Sequence, residues 1–415
     1  MLIGLFQGDF QYDAVNRFVD HLAAALNRRG IETLIIDVAA PRPQVAEAIH
    51  LLQDRSRELA GLIGFNTLGS TIVLGRHPLH RRLGVPFVSW LVDHPVFHLD
   101  RLDALADQPV LCIDPGHAHF LHRLGLTQAT VALHAGAEVP TDSQSVWTKQ
   151  SVWTERRGHI LFAGTGGDPA TLAALLRQGL TAQAPDGALV RVFDDLADQP
   201  TLSTDGAVEQ ALADHPAIGR PFEADEIGLE SRSLLQALIR YRRVRRRHDL
   251  LRALDQAGIA VDLCGHGWGD GWFRHHRLLG PRSFTETLAL FGRYRVALNI
   301  NPLFAAGLHD RVVYAALAGA MVWSDSNPTL AAELGSGRGK LFSWTESDPA
   351  PRPPSPPEPN SEPNSVHTAT TGRDYFRAHH SWDRRVMQIL PATIGNEPGL
   401  ADRIDESHRD HRVLR

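Results

Sequence analysis

The stretch NINPLFAAGLHDRVVYAALAGAMVWSD, residues 299–325, decides the reading of the chain. An apolar strand runs into a loop, and the loop meets His309, Asp310 and Arg311. A short apolar helix and a second apolar strand follow. Apolar runs of this length suit a parallel sheet covered on both faces. The three polar side chains sit where loop becomes helix. At such a junction an α/β fold presents unbonded backbone N–H groups and the positive end of a helix.

The same alternation runs outward in both directions. LIGLF (2–6) reads as a first strand, and Asp13 as the cap of a helix in which Val15, Phe18, Val19, Leu22 and Leu26 keep helical spacing up to Gly30. ETLIIDV, GLIGFN, PFVSWLVD, PVLCID and ATVALHAG continue as strands, with helices expected near 43–59, 70–83 and 116–124. Strands alternating with helices predict a doubly wound Rossmann-like domain over residues 1–145. A linker at 138–158 contains the echo QSVWT-KQSVWT, too short for a structural repeat. A second α/β set begins at HILFAGTGGDP (159–169), pauses for a largely helical stretch at 170–257, and resumes at VDLCGHGWG, giving a second domain over 156–345. Residues 346–372 are rich in Pro, Ser and Glu with almost nothing apolar and are expected to be a disordered loop. One more helix is expected at 373–395.

The bulk numbers narrow the classes. A chain of 415 residues accommodates two domains, and 43% hydrophobic residues supply their cores. A formal net charge of -5 gives no reason to expect nucleic acid as a partner. Cys112 and Cys264 lie in separate apolar runs, which predicts neither a disulfide framework nor a zinc site and fits a reducing compartment, hence the cytoplasm. The N-terminus carries no signal-peptide pattern, and no apolar run reaches the length of a membrane span. The basic run RYRRVRRRHD (240–249) reads either as a phosphate patch or as the solvated face of a long helix whose leucines turn inward. The acidic total charge favours the solvated face.

Ligands of open α/β sheets bind beyond the carboxyl ends of the strands, so the candidate residues are those leaving strands. Thr165 and Gly166, with Gly167, form a Gly-rich turn whose N–H groups suit an anion; the plain alternative is a tight turn. Gly265 and His266 open a loop with further glycines at 267, 269 and 271, which permits close approach of a flat ligand. Asn301 ends its strand, and His309 and Arg311 stand at the helix start, where Arg311 can bond two phosphate oxygens at once. The alternative there is that Asp310 only caps the helix and Arg311 is a surface charge. In the first domain, Asp93 and His94 end a strand and are candidates for a general base acting on a hydroxyl; the alternative is that Asp93 caps the next turn and His94 packs.

YRVALNINPLFAAGLHDRVVYAALAGAMVWSD resembles the C-terminal signature of the CgeB-like (spore-maturation) glycosyltransferases, and WLVDHP, CIDPGHAHFL, ALHAGAE, HILFAGTGG and VDLCGHGW fit the same order. The resemblance spans roughly residues 85–335. It implies the GT-B fold: two facing Rossmann-like domains, with a nucleotide-diphosphate sugar held by the second and the acceptor by the first. It also implies transfer without a bound metal or cofactor, and a C-terminal helix that crosses back to the first domain. The implied donor set is Thr165, Gly166, Gly265, His266, Asn301, His309, Arg311 and Tyr314, with Asp93 or His94 on the acceptor side. The sequence departs from the family at Tyr314, where a glutamate usually contacts the donor. Two rivals stay open. One is a nucleotide-sugar epimerase and the other a catalytically silent nucleotide- or sugar-binding protein. A dehydrogenase is disfavoured because no G-x-G-x-x-G follows the first strand.

Overall fold

The computed structural model describes residues 1–9, 13–138, 157–199, 202, 204–217, 222–223, 226–301, 304–335, 337–342 and 362–394. These divide into two compact α/β units. The first comprises residues 1–113, 117–137 and those from 379 onward; the second comprises 114–116 and 138–378.

In the first unit, strands β1 (Leu2–Gln7), β2 (Glu32–Asp37), β3 (Leu59–Phe65), β6 (Phe87–Leu91), β7 (Val110–Cys112) and β8 (Ala129–Val131) form one parallel sheet; β4 (Val73–Leu74) and β5 (His77–Pro78) make a separate small hairpin. The sheet order is β2-β1-β3-β6-β7-β8. Central strands are buried along their length, as FVSWL of β6 is, while the edge strand β2 is largely exposed. That contrast is why the central strands read as continuous apolar runs. Leu2, Phe6, Leu62 and Phe87 form the core beneath Leu52 of the helix Arg42–Asp54.

Three expectations about local structure change. Asp13 stands at the start of the helix Ala14–Asn27 in a left-handed conformation and makes no capping bond to its backbone. Its carboxylate accepts from Asn16 Nδ2 at 2.8 Å instead. The helix expected near 70–83 shrinks to Leu79–Leu83, because Gly75 turns the chain at positive φ and closes the β4–β5 hairpin before it. The expected loop at 346–372 is helical from Glu362, and this helix runs to His379. Pro363 falls in its first turn, where a missing N–H costs nothing. Ala369 then joins the core of the second unit. Residues 346–361 and most of the expected linker at 138–158 lie outside the described residues.

The last described helix, Trp382–Ile394, belongs to the first unit. Trp382 is 2% exposed, with its ring 5.6 Å from Trp90 and 6.2 Å from Phe18. Arg385 donates to the His134 carbonyl at 3.1 Å, and Arg28 bonds both carboxylate oxygens of Asp383. The helix end lies directly on β3 at Gly61.

The second sheet contains β9 (Arg157–Ala163), β12 (Val261–Cys264), β13 (Arg277–Gly280), β14 (Tyr294–Asn299), β15 (Met321–Asp325) and β16 (Lys340–Phe342), again all parallel. Its order is β13-β12-β9-β14-β15-β16, which counted within the sheet is 3-2-1-4-5-6. Between β9 and β12 the chain forms helices Pro169–Gln183, Ala188–Ala197, Asp205–Ala213 and Leu229–Gln256, the helical insertion expected there, with a minor hairpin of β10 (Phe222–Glu223) and β11 (Glu226–Ile227). The order reverses between β9 and β14, so the loops leaving those two strands diverge and leave a crevice at their carboxyl ends.

A Cβ at Gly61 would lie 2.6 Å from the Thr393 carbonyl oxygen, a backbone atom that cannot swing aside. Gly61→Ala should therefore push the helix Trp382–Ile394 off β3 and destabilise the first unit by about 1–3 kcal/mol. The shift of the urea midpoint measures this.

Candidate functional site

The crevice of the second sheet is built around Phe162, which is fully buried near the end of β9. Two guanidinium groups flank its ring. Arg311, from the helix Asp310–Leu317, stands 5.0 Å from the ring centroid, and Arg247, from the long helix Leu229–Gln256, stands 5.8 Å away. Both arginines are more than nine-tenths buried. Arg311 Nη1 donates to Asn299 Oδ1 at 3.0 Å, and Asn299 Nδ2 donates in turn to Ser324 Oγ at 2.8 Å. Arg247 Nη1 donates to the Thr165 carbonyl at 2.8 Å. These contacts are to neutral oxygens, which orient the guanidinium groups; the Asp310 and Asp325 carboxylates also act on Arg311 through space. The neighbouring Arg246 differs, because it pairs with the buried Asp325 carboxylate at 3.2 Å.

Gly164 is the point of closest approach: a Cβ there would lie 3.0 Å from Arg311 Nη2. The turn that follows departs from the expected anion cradle. Gly164 N–H donates to the Cys264 carbonyl and Gly166 N–H to the His266 carbonyl, each at 2.8 Å, and Trp268 Nε1 donates to the Gly164 carbonyl at 3.0 Å. The loops after β9 and β12 are thus zipped backbone to backbone, and the Gly166 amide is not available to a ligand. Gly265, at φ 140°, lets the second loop pass against the Gly164 carbonyl, so its role is close packing of the two loops.

At the start of the helix Asp310–Leu317, His309 is the cap: its Nδ1 accepts from Arg311 N–H at 3.2 Å. This replaces the expectation that Asp310 caps the helix, and Arg311 is a buried group, not a surface charge. Desolvation lowers the His309 pKa more than the adjacent Asp310 raises it. The same Nδ1 also meets the Asp310 carboxylate, so the helix N–H and the carboxylate share one face of the ring and Nε2 is left for other contacts. Asn301 is 3% exposed. Its N–H donates to Asp325 Oδ1 at 2.8 Å, while its side-chain Oδ1 is buried with no hydrogen-bond partner. Tyr314 is 1% exposed, with its ring perpendicular to Phe284 at 5.2 Å.

Arg247 escaped the sequence reading, which placed its basic run on a solvated face. Arg246, Arg247 and His248 are buried. The signal was present in the phase, because Arg246 and Arg247 precede the inward Leu250 and Leu251 by four residues and so share their face.

In the first unit, Asp93 and His94 have different surroundings. His94 is 1% exposed and caps the turn Pro95–Phe97, its Nδ1 accepting from Val96 N–H at 3.1 Å. Asp93 is half-buried, and its Oδ2 accepts from Asn66 Nδ2 at 2.8 Å. Nearby, burial pushes the His98 imidazole down to about 4 against the opposing pull of Asp93. No helix among the described residues is long and apolar enough to cross a membrane.

No family model matches the chain, and no curated protein matches it in sequence. Among solved structures it is similar to HepE of Anabaena in complex with UDP and glucose, at 10% identity and a TM-score of 0.48, covering 94% of this chain and 98% of that one. It is also similar to AviGT4, a glycosyltransferase involved in avilamycin A biosynthesis (12% identity, TM-score 0.47, 95% and 97% covered). A third is the sucrose-phosphate synthase of Thermosynechococcus elongatus (12% identity, TM-score 0.45, 94% and 97% covered). The fold assignment rests on the two strand orders themselves.

The desolvated histidines make stability depend on pH. A histidine whose folded pKa lies below its unfolded value binds fewer protons when folded, so stability is intact above about 6.5 and falls as the pH drops toward the folded pKa. For His98 the window runs from about 6.5 down to about 4, with a loss of up to about 3 kcal/mol. His98→Phe should flatten this acid loss, which urea midpoints at pH 7 and pH 4.5 would compare.

Proposed function

We propose that the chain is a GT-B glycosyltransferase that moves a sugar from a nucleotide-diphosphate sugar to a hydroxyl group of an acceptor. The observation that carries this reading is the pair of buried arginines, Arg247 and Arg311, set on Phe162 at the point where a 3-2-1-4-5-6 sheet reverses its strand order. Glycosyl transfer breaks the bond between the anomeric carbon and a diphosphate oxygen, and negative charge grows on that oxygen. Guanidinium groups already fixed in a poorly hydrated site stabilise the growing charge without reorganising. The two fixed charges make the proposed transfer independent of a metal ion.

The remaining donor residues have fitting chemistry. The bare Gly164 leaves room beside Arg311. The His309 ring at the helix start offers a polar contact to the diphosphate, and the buried Asn301 Oδ1 offers an acceptor to a hydroxyl of the ribose or the transferred hexose. If transfer inverts the anomeric configuration, Asp93 is the residue suited to take the acceptor proton. If transfer retains configuration, the departing diphosphate can do so. The buried thiols Cys112 and Cys264 agree with a cytoplasmic enzyme.

One observation favours a second reading, a nucleotide-binding protein without transfer activity. Tyr314 takes the place of the family's glutamate, and its ring is packed on Phe284. That position supplies no carboxylate to a ribose.

Calorimetry with UDP, GDP, CDP, dTDP and ADP tests the donor site. One nucleoside diphosphate should bind, and Arg311→Ala and Arg247→Ala should each weaken it about 10- to 100-fold, as loss of a charge-assisted contact does. Arg311→Lys should recover only part of the loss, since an ammonium cannot form the paired contact. Unchanged affinity in both alanine variants places the donor elsewhere. Binding without turnover of any sugar conjugate selects the second reading.

A further inference from the structure

Asn66 and Thr67 follow β3 at the carboxyl end of the first sheet. The strand order of that sheet, 2-1-3-4-5-6 counted within it, reverses between β1 and β3, so Asn66 leaves one of the two strands that border the reversal. Both residues hold left-handed backbone, at φ 49° and 64°. Asparagine tolerates this conformation, but for a β-branched threonine it is an outlier that the surroundings must hold in place. Thr67 Oγ1 donates to the Asn66 carbonyl at 2.5 Å.

Strain of this kind has a visible result. Asn66 N–H donates to the Trp90 carbonyl at 2.9 Å, and Asn66 Oδ1 accepts from Val92 N–H at 2.9 Å. Its Nδ2 then donates to Asp93 Oδ2 at 2.8 Å. One side chain thereby ties the exit of β3 to the exit of β6 and fixes one oxygen of the Asp93 carboxylate. The other oxygen takes no hydrogen bond among the described residues. His98 lies within electrostatic reach of Asp93; it is 8% exposed, and neither ring nitrogen has a hydrogen-bond partner among the described residues. The half-buried Asp93 carboxylate, with one oxygen held and the other open, is a fixed acceptor for a ligand hydroxyl.

We propose that Asn66 is a positioning residue for the acceptor reaction: it aims the Asp93 carboxylate so that the unbonded oxygen receives a hydroxyl of the acceptor. This rests on the transferase reading with inversion. In the step, the acceptor hydroxyl gives its proton to Asp93, and its oxygen pair forms the bond to the anomeric carbon. The bond from that carbon to the diphosphate breaks, its electron pair staying on the diphosphate oxygen.

The test is a double-mutant cycle on nucleotide-sugar turnover, with water as acceptor and UDP-, GDP- and ADP-glucose as donor probes, read as released nucleoside diphosphate. Asn66→Gly keeps the left-handed backbone and removes only the amide; circular dichroism melting checks that it folds. Asp93→Asn should lower kcat by about 100-fold or more. Asn66→Gly should lower it about 10- to 100-fold with donor KM unchanged. The double variant should be no slower than Asp93→Asn alone, because Asn66 acts through Asp93. Additive losses, a raised donor KM, or Asn66→Gly turning over at the wild-type rate overturn the proposal while leaving the transferase reading intact. Absence of binding and turnover with every probe in the wild-type protein overturns both.

Discussion

The second unit depends on two positive charges kept out of water against one benzene ring. Burying a guanidinium is costly, and the cost is bearable only where polar atoms replace the lost hydration. Around Phe162 those atoms are supplied by neutral groups, the Asn299 amide oxygen and the Thr165 carbonyl. Carboxylates would have held the arginines more tightly and cancelled their charge, as Asp325 does for Arg246. The close partner thus separates Arg246, which is paired with a carboxylate, from Arg247 and Arg311, whose Nη1 hydrogen bonds go to neutral oxygens.

That arrangement explains several features at once. Gly164 is bare because Arg311 passes beside it, and the loops after β9 and β12 are zipped so that the Thr165 carbonyl stays where Arg247 needs it. Asn299 is buried within the strand β14 because its amide bridges Ser324 and Arg311. Asn327 closes the same neighbourhood. Its Nδ2 donates to the Gly307 carbonyl at 2.9 Å, and its Oδ1 caps the helix Pro328–Leu334 through Leu330 N–H at 2.7 Å. The loop that carries His309 is therefore anchored from the far side.

The architecture was legible because a parallel sheet buried on both faces must be written as apolar runs, and LIGLF, PFVSWL and AMVWSD are such runs. His309 and Arg311 were legible because a strand, a loop and a helix start follow each other within a few residues. Arg247 was not, since it lies far from that motif in sequence, and its burial depends on the phase of one long helix against the sheet. The Gly166 amide was misjudged because the bond that engages it comes from a loop a hundred positions further on. Asn66 gave no signal, as a left-handed turn at a strand exit leaves no composition mark when the residue is not glycine. The end of the expected loop, helical from Glu362, misled for another reason: composition argued against order there, while Pro363 sits where a helix accepts it.

The placement of the helix Trp382–Ile394 has a consequence for synthesis. The core of the first unit is closed by Trp382, yet residues 138–378 of the second unit are encoded between β8 and that helix. Domains generally fold as they emerge, N-terminal first. Here the first unit to emerge is the last to be completed, and until then Phe18, Phe65 and Trp90 lack the covering ring of Trp382. The nascent chain must therefore carry an open apolar surface while the second unit forms.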